Sequence, residues 1–288
     1  MQQTFAAVRL SFVFRRVLLV SIGLLLTSTA NAQQMGVRYD HIGRSTVIDA
    51  DTENEASISH FSARLGVPVR IDEERWMVVP GVAFERAATR LDPHEDFVAY
   101  TFGGSLTLVH QRNERWGAVG HLALSYQSDL QGHDGRAWTG VASLMATLRL
   151  AEHHRVRFGA ALSYARGRWT PVPVIGWDLR RPWWTLNVAI PTSARFAVRP
   201  HEDFDIGPEL RFGGGGAQVY DLGFGSRSML IEGGVSARYR ILGPIYAVLF
   251  GGATLYHRAV ISIDGGGELV VRKRPAPVVS LGILLMQG

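Results

Sequence analysis

Apolar and polar positions alternate along this chain, most sharply over residues 155–164. Successive side chains of a β-strand point to opposite faces, so a period of two predicts a strand that is apolar on one side and wet on the other. The apolar face carries Val156, Phe158, Ala160, Leu162 and Tyr164, and the opposite face carries Arg155, Arg157, Gly159, Ala161 and Ser163.

This strand is the second arm of a predicted hairpin over residues 136–169, whose turn at 151–154 is short and polar. Each arm has about 15 residues, which is long for a soluble strand but suits one that crosses a bilayer at a tilt and projects beyond it. We therefore predict a membrane hairpin in which Leu162 and Tyr164 face lipid. The face with Arg155, Arg157 and Ser163 should line the lumen or the periplasmic rim.

Two short motifs recur along the chain. Glu-Arg-Trp occurs at 74–76 and 114–116, and Ala-Leu-Ser-Tyr occurs at 123–126 and 161–164. A period near 40 residues can indicate a solenoid or a propeller, but each period here holds two long strands rather than four short ones, which favours successive hairpins. Strands are predicted at about 35–48, 55–71, 76–90, 96–111, 116–129, 137–150, 155–168, 172–180, 183–190, 193–200, 204–214, 227–242, 245–262 and 277–287.

The connections between these strands alternate between two sides. Fourteen strands with both termini on the short-turn side predict an all-β, antiparallel, up-and-down transmembrane β-barrel of the bacterial outer membrane. The strands at 183–190 and 193–200 are short and separated by Pro191. If they form one bent strand or a partly inserted hairpin, the count becomes 12. Short turns are predicted at 72–75, 112–115, 151–154, 181–182, 200–203 and 243–244, and the other connections at 49–54, 91–95, 130–136, 169–171, 191–192, 215–226 and 263–276.

The tryptophan positions favour a membrane location. Trp76, Trp116 and Trp183 follow short turns, while Trp138 and Trp169 lie near the opposite strand ends. Aromatic rings collect at both bilayer interfaces because they combine an apolar face with a polar edge. A secreted soluble β-sandwich that binds a ligand is the alternative, but it would have to bury the apolar faces of nearly all strands between two sheets.

Residues 1–32 have the pattern of a secretory signal peptide. Three arginines precede an apolar run over 17–26, and Ala-Asn-Ala at 30–32 matches an A-x-A cleavage site. The run is too short for a permanent transmembrane helix, although an uncleaved signal anchor is the alternative. We predict Sec export, cleavage of this segment and a single barrel domain over residues 33–288.

Composition excludes several classes of protein. The chain has no cysteine, which rules out a lipoprotein anchor and a disulfide framework. Of its 30 basic and 25 acidic residues, three arginines lie in the signal segment, so 27 basic and 25 acidic residues remain, a net charge of +2. The only basic cluster is at 272–274, which argues against nucleic-acid binding.

Over most of residues 33–288 the chain resembles outer-membrane β-barrel families of unknown activity. The resemblance rests on the signal segment, the Glu-Arg-Trp turns, the segment PVIGWDLRRP at 173–182 leading to Trp184 and Pro191, and the late glycine-rich strands. The chain departs from many such barrels in ending Leu-Leu-Met-Gln-Gly rather than in an aromatic residue. The resemblance implies contact with outer-membrane lipids and insertion by the barrel-assembly machinery, but brings no activity with it.

Charged residues on the parity opposite the apolar side chains are the candidate functional residues. A charge that faces lipid near the midplane costs about 2–4 kcal/mol, so these residues should face the lumen. Their arginine excess predicts a pore for small solutes that weakly favours anions, and a structural barrel filled by salt bridges is the alternative. The residues are Glu85, Asp178, Arg180, Arg195, Arg199, Asp205, Glu209, Arg211, Glu232, Arg238 and Arg240, with the best candidate cluster at Glu209, Arg211, Glu232 and Arg238.

An outer-membrane lipid-modifying hydrolase is a further hypothesis. His121 and Ser125 share a strand face, but four residues of strand separate them by about 13 Å, beyond hydrogen-bond reach. His153 and His154 lie in a turn where neighbouring side chains diverge, and the glycine run at 213–216 lacks the lysine of a phosphate loop. We therefore predict no catalytic, metal or cofactor site.

Overall fold

The computed structural model describes residues 33–48, 53–72, 75–92, 94–130, 137–165, 168–219, 224–263 and 267–286. The predicted signal segment lies outside these ranges. Within them, no helix has the length and apolar character needed to cross a bilayer. The strands are β1 (Gln33–Ile48), β2 (Glu53–Gly66), β3 (Val69–Asp72), β4 (Trp76–Asp92), β5 (His94–Gln111), β6 (Trp116–Ser128), β7 (Trp138–Ala151), β8 (His154–Ala165), β9 (Arg168–Arg180), β10 (Trp184–Ile190), β11 (Ser193–His201), β12 (Phe204–Val219), β13 (Phe224–Leu242), β14 (Ile245–Ile263), β15 (Gly267–Lys273) and β16 (Pro277–Met286).

Neighbouring strands pair antiparallel, and the sheet closes on itself between β1 and β16. β3 continues β2 along β4 in the same register after an interruption at Val67 and Pro68. β15 and β16 likewise form one interrupted strand along β14. The described residues therefore form a closed up-and-down barrel of 14 strands, which confirms the predicted fold class.

Two of the predicted connections are wrong. β12 and β13 extend into the region 215–226, and β15 occupies half of the region 263–276. Glycine and proline in these regions indicate loops when read alone, but the neighbouring strands are long enough to pair with them and satisfy their backbone groups. The alternative count of 12 strands is also excluded, because β10 and β11 pair separately from Trp184↔Val198 to Ala189↔Ser193.

The apolar parity lies on the outside of the barrel. Leu144 and Leu162 are exposed, while Met145, Arg157 and Ala161 are buried. The directions predicted for Leu162 and Arg157 are therefore confirmed. A closed barrel with a continuous apolar exterior needs an apolar surrounding, which a bilayer supplies.

Aromatic side chains form two belts on this exterior. Trp116 lies opposite Leu148 of β7, and Trp138, ten residues earlier on β7, packs edge-on against Tyr126 at a centroid distance of 5.3 Å. Ten residues of strand span about 33 Å, or about 25 Å along the axis of a barrel whose strands tilt by about 40°. This spacing equals the height of the apolar band of outer-membrane barrels.

The barrel is flattened. Fourteen strands about 4.8 Å apart and tilted by about 40° would enclose a circle roughly 28 Å across. β6 and β12, which lie six strands apart in the sheet, instead approach to within 8 Å between Cα atoms. Small inward side chains such as Ser236 and Ala197 are 0% and 1% exposed. Side chains therefore fill the interior around these two residues.

Candidate functional site: the charged lumen

The inward face of β1, β2 and β4 carries one cluster of charges. Arg38 Nη2 lies 2.6 Å from Asp40 Oδ1, and Arg64 Nη2 lies 2.8 Å from Glu85 Oε1. His60 stands between the two carboxylates, with Nδ1 3.4 Å from Asp40 and Nε2 3.6 Å from Glu85. Residues 40, 60 and 85 come together because they lie on the inward parity of strands that pair in register.

A second cluster lies on β11, β12 and β13. Arg195 forms an ion pair with Asp205 and donates from Nε to Ser236 Oγ at 2.6 Å. Glu209 accepts from Arg211 Nε at 2.7 Å and lies 3.5 Å from Arg195 Nε. These side chains are nearly fully buried, so their charges depend on one another rather than on water.

The two clusters meet at Ser280 of β16. Arg211 Nη1 donates to Ser280 Oγ at 3.1 Å, and Arg38 Nη2 approaches the same oxygen at 3.4 Å. The guanidinium of Arg211 also lies 3.8 Å over the ring of Phe250. Beside this charged level is an apolar layer of buried side chains, consisting of Ile42, Ile58, Leu230, Phe250, Ala276 and Val278.

Two of the buried residues predicted for the lumen lack an ion pair. Glu232 is 5% exposed and has no basic nitrogen within 4 Å among the described residues. Arg238 has a buried Nε without a hydrogen-bond partner. A third pair stands apart from both clusters, where Arg157 Nη2 donates to Asp178 Oδ1 at 2.9 Å and Asn187 also donates to that oxygen.

Arginines and carboxylates are equal in number in the three groups deep inside the described barrel. Six arginines and six carboxylates form the three groups, so the deep lumen has no arginine excess. They are Arg38, Arg64, Arg157, Arg195, Arg211 and Arg238, with Asp40, Glu85, Asp178, Asp205, Glu209 and Glu232.

The arginine excess predicted for the lumen is found at the short-turn end of the barrel. Arg180 and Arg199 are exposed there. The Arg240 side chain is 40% exposed, lies 3.2 Å from Asp203 of the neighbouring turn and donates to Tyr246 Oη at 3.1 Å. These three residues surround the periplasmic mouth rather than the deep lumen.

The cluster around His60 was not among the sequence candidates apart from Glu85. Arg38 and Asp40 lie on the parity opposite Val37 and Tyr39, so the alternation of β1 contains the signal. Their proximity to His60 could not be read from that alternation, because it depends on the register between β1 and β2.

The residues considered for a hydrolase are not assembled into a catalytic group. His121 and Ser125 both point inward, and His121 Nδ1 lies 2.8 Å from Thr107 Oγ1 of the neighbouring strand. Nowhere in the described ranges do three His, Asp or Glu side chains approach closely enough to hold a metal ion.

No protein-family model and no curated protein matches the chain. Among solved structures it is similar to an outer-membrane channel from Pseudomonas putida F1, at 12% identity over 88% of this chain and 94% of that chain, with a TM-score of 0.46. It is also similar to the P. putida toluene transporter TodX, at 8% identity over 92% and 93% of the two chains with a TM-score of 0.44. It is similar as well to the KdgM porin, at 10% identity over 88% of this chain and 99% of that chain, with a TM-score of 0.37.

The closed barrel, its apolar exterior and its two aromatic belts define this protein as a bacterial outer-membrane β-barrel.

Proposed function

We propose that this protein is an outer-membrane channel for small polar solutes, and that its lumen is closed in the conformation described here. The observation that carries the proposal is the inward face, where six arginines face six carboxylates inside a barrel. Replacing buried ion pairs by apolar side chains of similar volume is often neutral or stabilising. A lumen that only had to be filled would therefore gain nothing from these charges, whereas a path for polar solutes needs them.

A purely structural barrel is the second candidate. The approach of β6 and β12 to within 8 Å favours it, because side chains occupy the space that an open pore would need. The two candidates differ in whether ion pairs such as Glu209–Arg211 ever separate to let solutes pass.

Single-channel recording of the refolded protein in planar bilayers distinguishes the two candidates. We expect infrequent conductance steps from the wild-type protein and more frequent or larger steps from the double variant Glu209→Ala, Arg211→Ala, which removes two charged side chains from the inward face of β12. Leu162→Ala, on the lipid-facing side, is the matched control and should behave as the wild type. If neither the wild type nor the double variant conducts ions, the structural barrel is the correct assignment.

We infer that the barrel has no enzymatic role, since His121 pairs with Thr107 rather than with Ser125. Assays with lipid and ester substrates test this inference directly. We also infer that outer-membrane lipids surround the exterior and that the barrel-assembly machinery inserts the chain. Depletion of that machinery should leave the protein unfolded in the periplasm.

A further inference from the structure

Arginines from neighbouring strands form an inward-facing row at the short-turn end of the barrel. Arg149 of β7 donates its backbone N–H to the carbonyl of Arg115, which precedes β6, and it lies directly opposite Arg155 of β8. Arg155 in turn lies directly opposite Asp178 of β9. Arg180 follows Asp178 by two residues on the same face of β9, so Arg155 has Arg149 on one side and Asp178 with Arg180 on the other.

That carboxylate is already engaged deeper in the lumen. Asp178 accepts from Arg157 and from Asn187, as described above. The side chains of Arg149, Arg155 and Arg180 form no hydrogen bond or ion pair with any described residue. None of these three arginines has an ion-pair partner, in contrast to most arginines of the deep lumen.

Arg157 forms the inner wall of this group. Its side chain is 3% exposed, and its Nε is buried without a hydrogen-bond partner. Arg155, half-buried, has Arg149, Arg157 and Arg180 as its charged neighbours besides Asp178. The row thus leads from the exposed side chain of Arg149 at the mouth to the buried Arg157–Asp178 ion pair inside.

The arrangement is unfavourable for folding alone. Like charges that lie directly opposite each other on adjacent strands destabilise the sheet, and Arg149 faces Arg155 in this way. Elsewhere in the lumen each arginine cluster has carboxylates of its own. Such unfavourable pairs of like charge are expected at ligand-binding sites, because the ligand then supplies the missing interaction.

We propose that Arg149, Arg155 and Arg180 bind small solutes that carry two or more carboxylate or phosphate groups. The guanidinium fork matches both anions in bidentate geometry. Directly opposite side chains have Cβ atoms about 5 Å apart, so Arg149 and Arg155 can hold one anionic group while Arg180 reaches a second. The site deepens the proposed channel function by naming its substrate class.

Calorimetric titration of the refolded protein in neutral detergent tests the site. The probes are tripolyphosphate and citrate, with acetate and spermidine as weakly binding controls. We expect the double variant Arg149→Gln, Arg155→Gln to bind the multivalent probes about 100-fold more weakly, at about tenfold for each arginine. Arg181→Gln removes an exposed arginine from the adjacent turn without touching the row, and it should bind within about twofold of the wild type.

Binding should also weaken as ionic strength rises, since part of the attraction is screened at the exposed mouth. Arginine-dependent binding of either probe supports the site. Equal affinity in the wild type and the double variant, or an equal loss in Arg181→Gln, overturns it. If the protein binds the probes through these arginines but does not conduct, only the proposed channel function is refuted. If it conducts but its binding does not depend on these arginines, only the proposed binding site is refuted.

Discussion

The depth of β7 in the membrane gives a quantitative test of the fold. Leu144 is 67% exposed and faces outward. It lies six residues from Trp138 and four from Leu148, which faces Trp116 across the sheet. These separations correspond to about 15 Å and about 10 Å along the barrel axis, so Leu144 is close to the bilayer midplane.

Leu144→Arg should therefore destabilise the folded barrel by about 2–4 kcal/mol, because an arginine at the midplane loses its hydration. Leu150→Arg is the matched control on the same face of the same strand. Leu150 is 55% exposed and lies two residues beyond the level of Trp116, at the interface, where the expected cost is about 0–1 kcal/mol. A difference of 2 kcal/mol changes the folding equilibrium about 30-fold.

The measurement is equilibrium unfolding from lipid vesicles in guanidinium chloride, followed by the emission of the tryptophans. Equal losses at positions 144 and 150 would show that the two tryptophan belts do not mark the two interfaces. Folding of the wild-type chain to the same state without lipid or detergent would exclude a membrane barrel altogether.

The same unfolding assay checks two further expectations. Phe250 is 0% exposed in the apolar layer, so Phe250→Ala should lower the free energy of unfolding by about 3–5 kcal/mol. Leu249→Ala on the outside should cost less, because lipid refills the space. Equal losses would contradict a packed interior. A Cβ at Gly159 would overlap the carbonyl oxygen of Leu144, whereas none of the neighbouring heavy atoms lies within 4 Å of a Cβ at Gly120. Gly159→Ala should therefore cost about 1–3 kcal/mol and Gly120→Ala should be tolerated, and a harmless Gly159→Ala would contradict the close approach of β7 and β8.

Alternation was sufficient to predict the wall of the barrel. In β8 the apolar and polar parities differ so clearly that the outward direction of Leu162 and the inward direction of Arg157 followed from the sequence. The physical reason is local, since the face to which a strand residue points is fixed by its position in the pleat. The positions of the tryptophans after the short turns were also visible in the sequence, because they mark the strand ends at the bilayer interface.

Strand ends were less predictable where glycine and proline dominate. β15 lies in the region 263–276, which was predicted as a connection and which contains Pro275 and the glycines at 265–267. The backbone of this segment pairs with β14 and β1 on its two sides, and those hydrogen bonds outweigh the weak local preference.

The grouping of charges was decided by the tertiary structure. Arg155 and Arg157 could be placed on the inward face from sequence, but nothing in the sequence sets Arg149 opposite Arg155 or Asp178 beside Arg157, because register belongs to pairs of strands. The flattening that brings β6 near β12 involves strands on opposite walls. The sequence by itself therefore determined which side chains face inward, whereas strand register and the shape of the closed barrel decided which charges neutralise one another and which are left at the mouth.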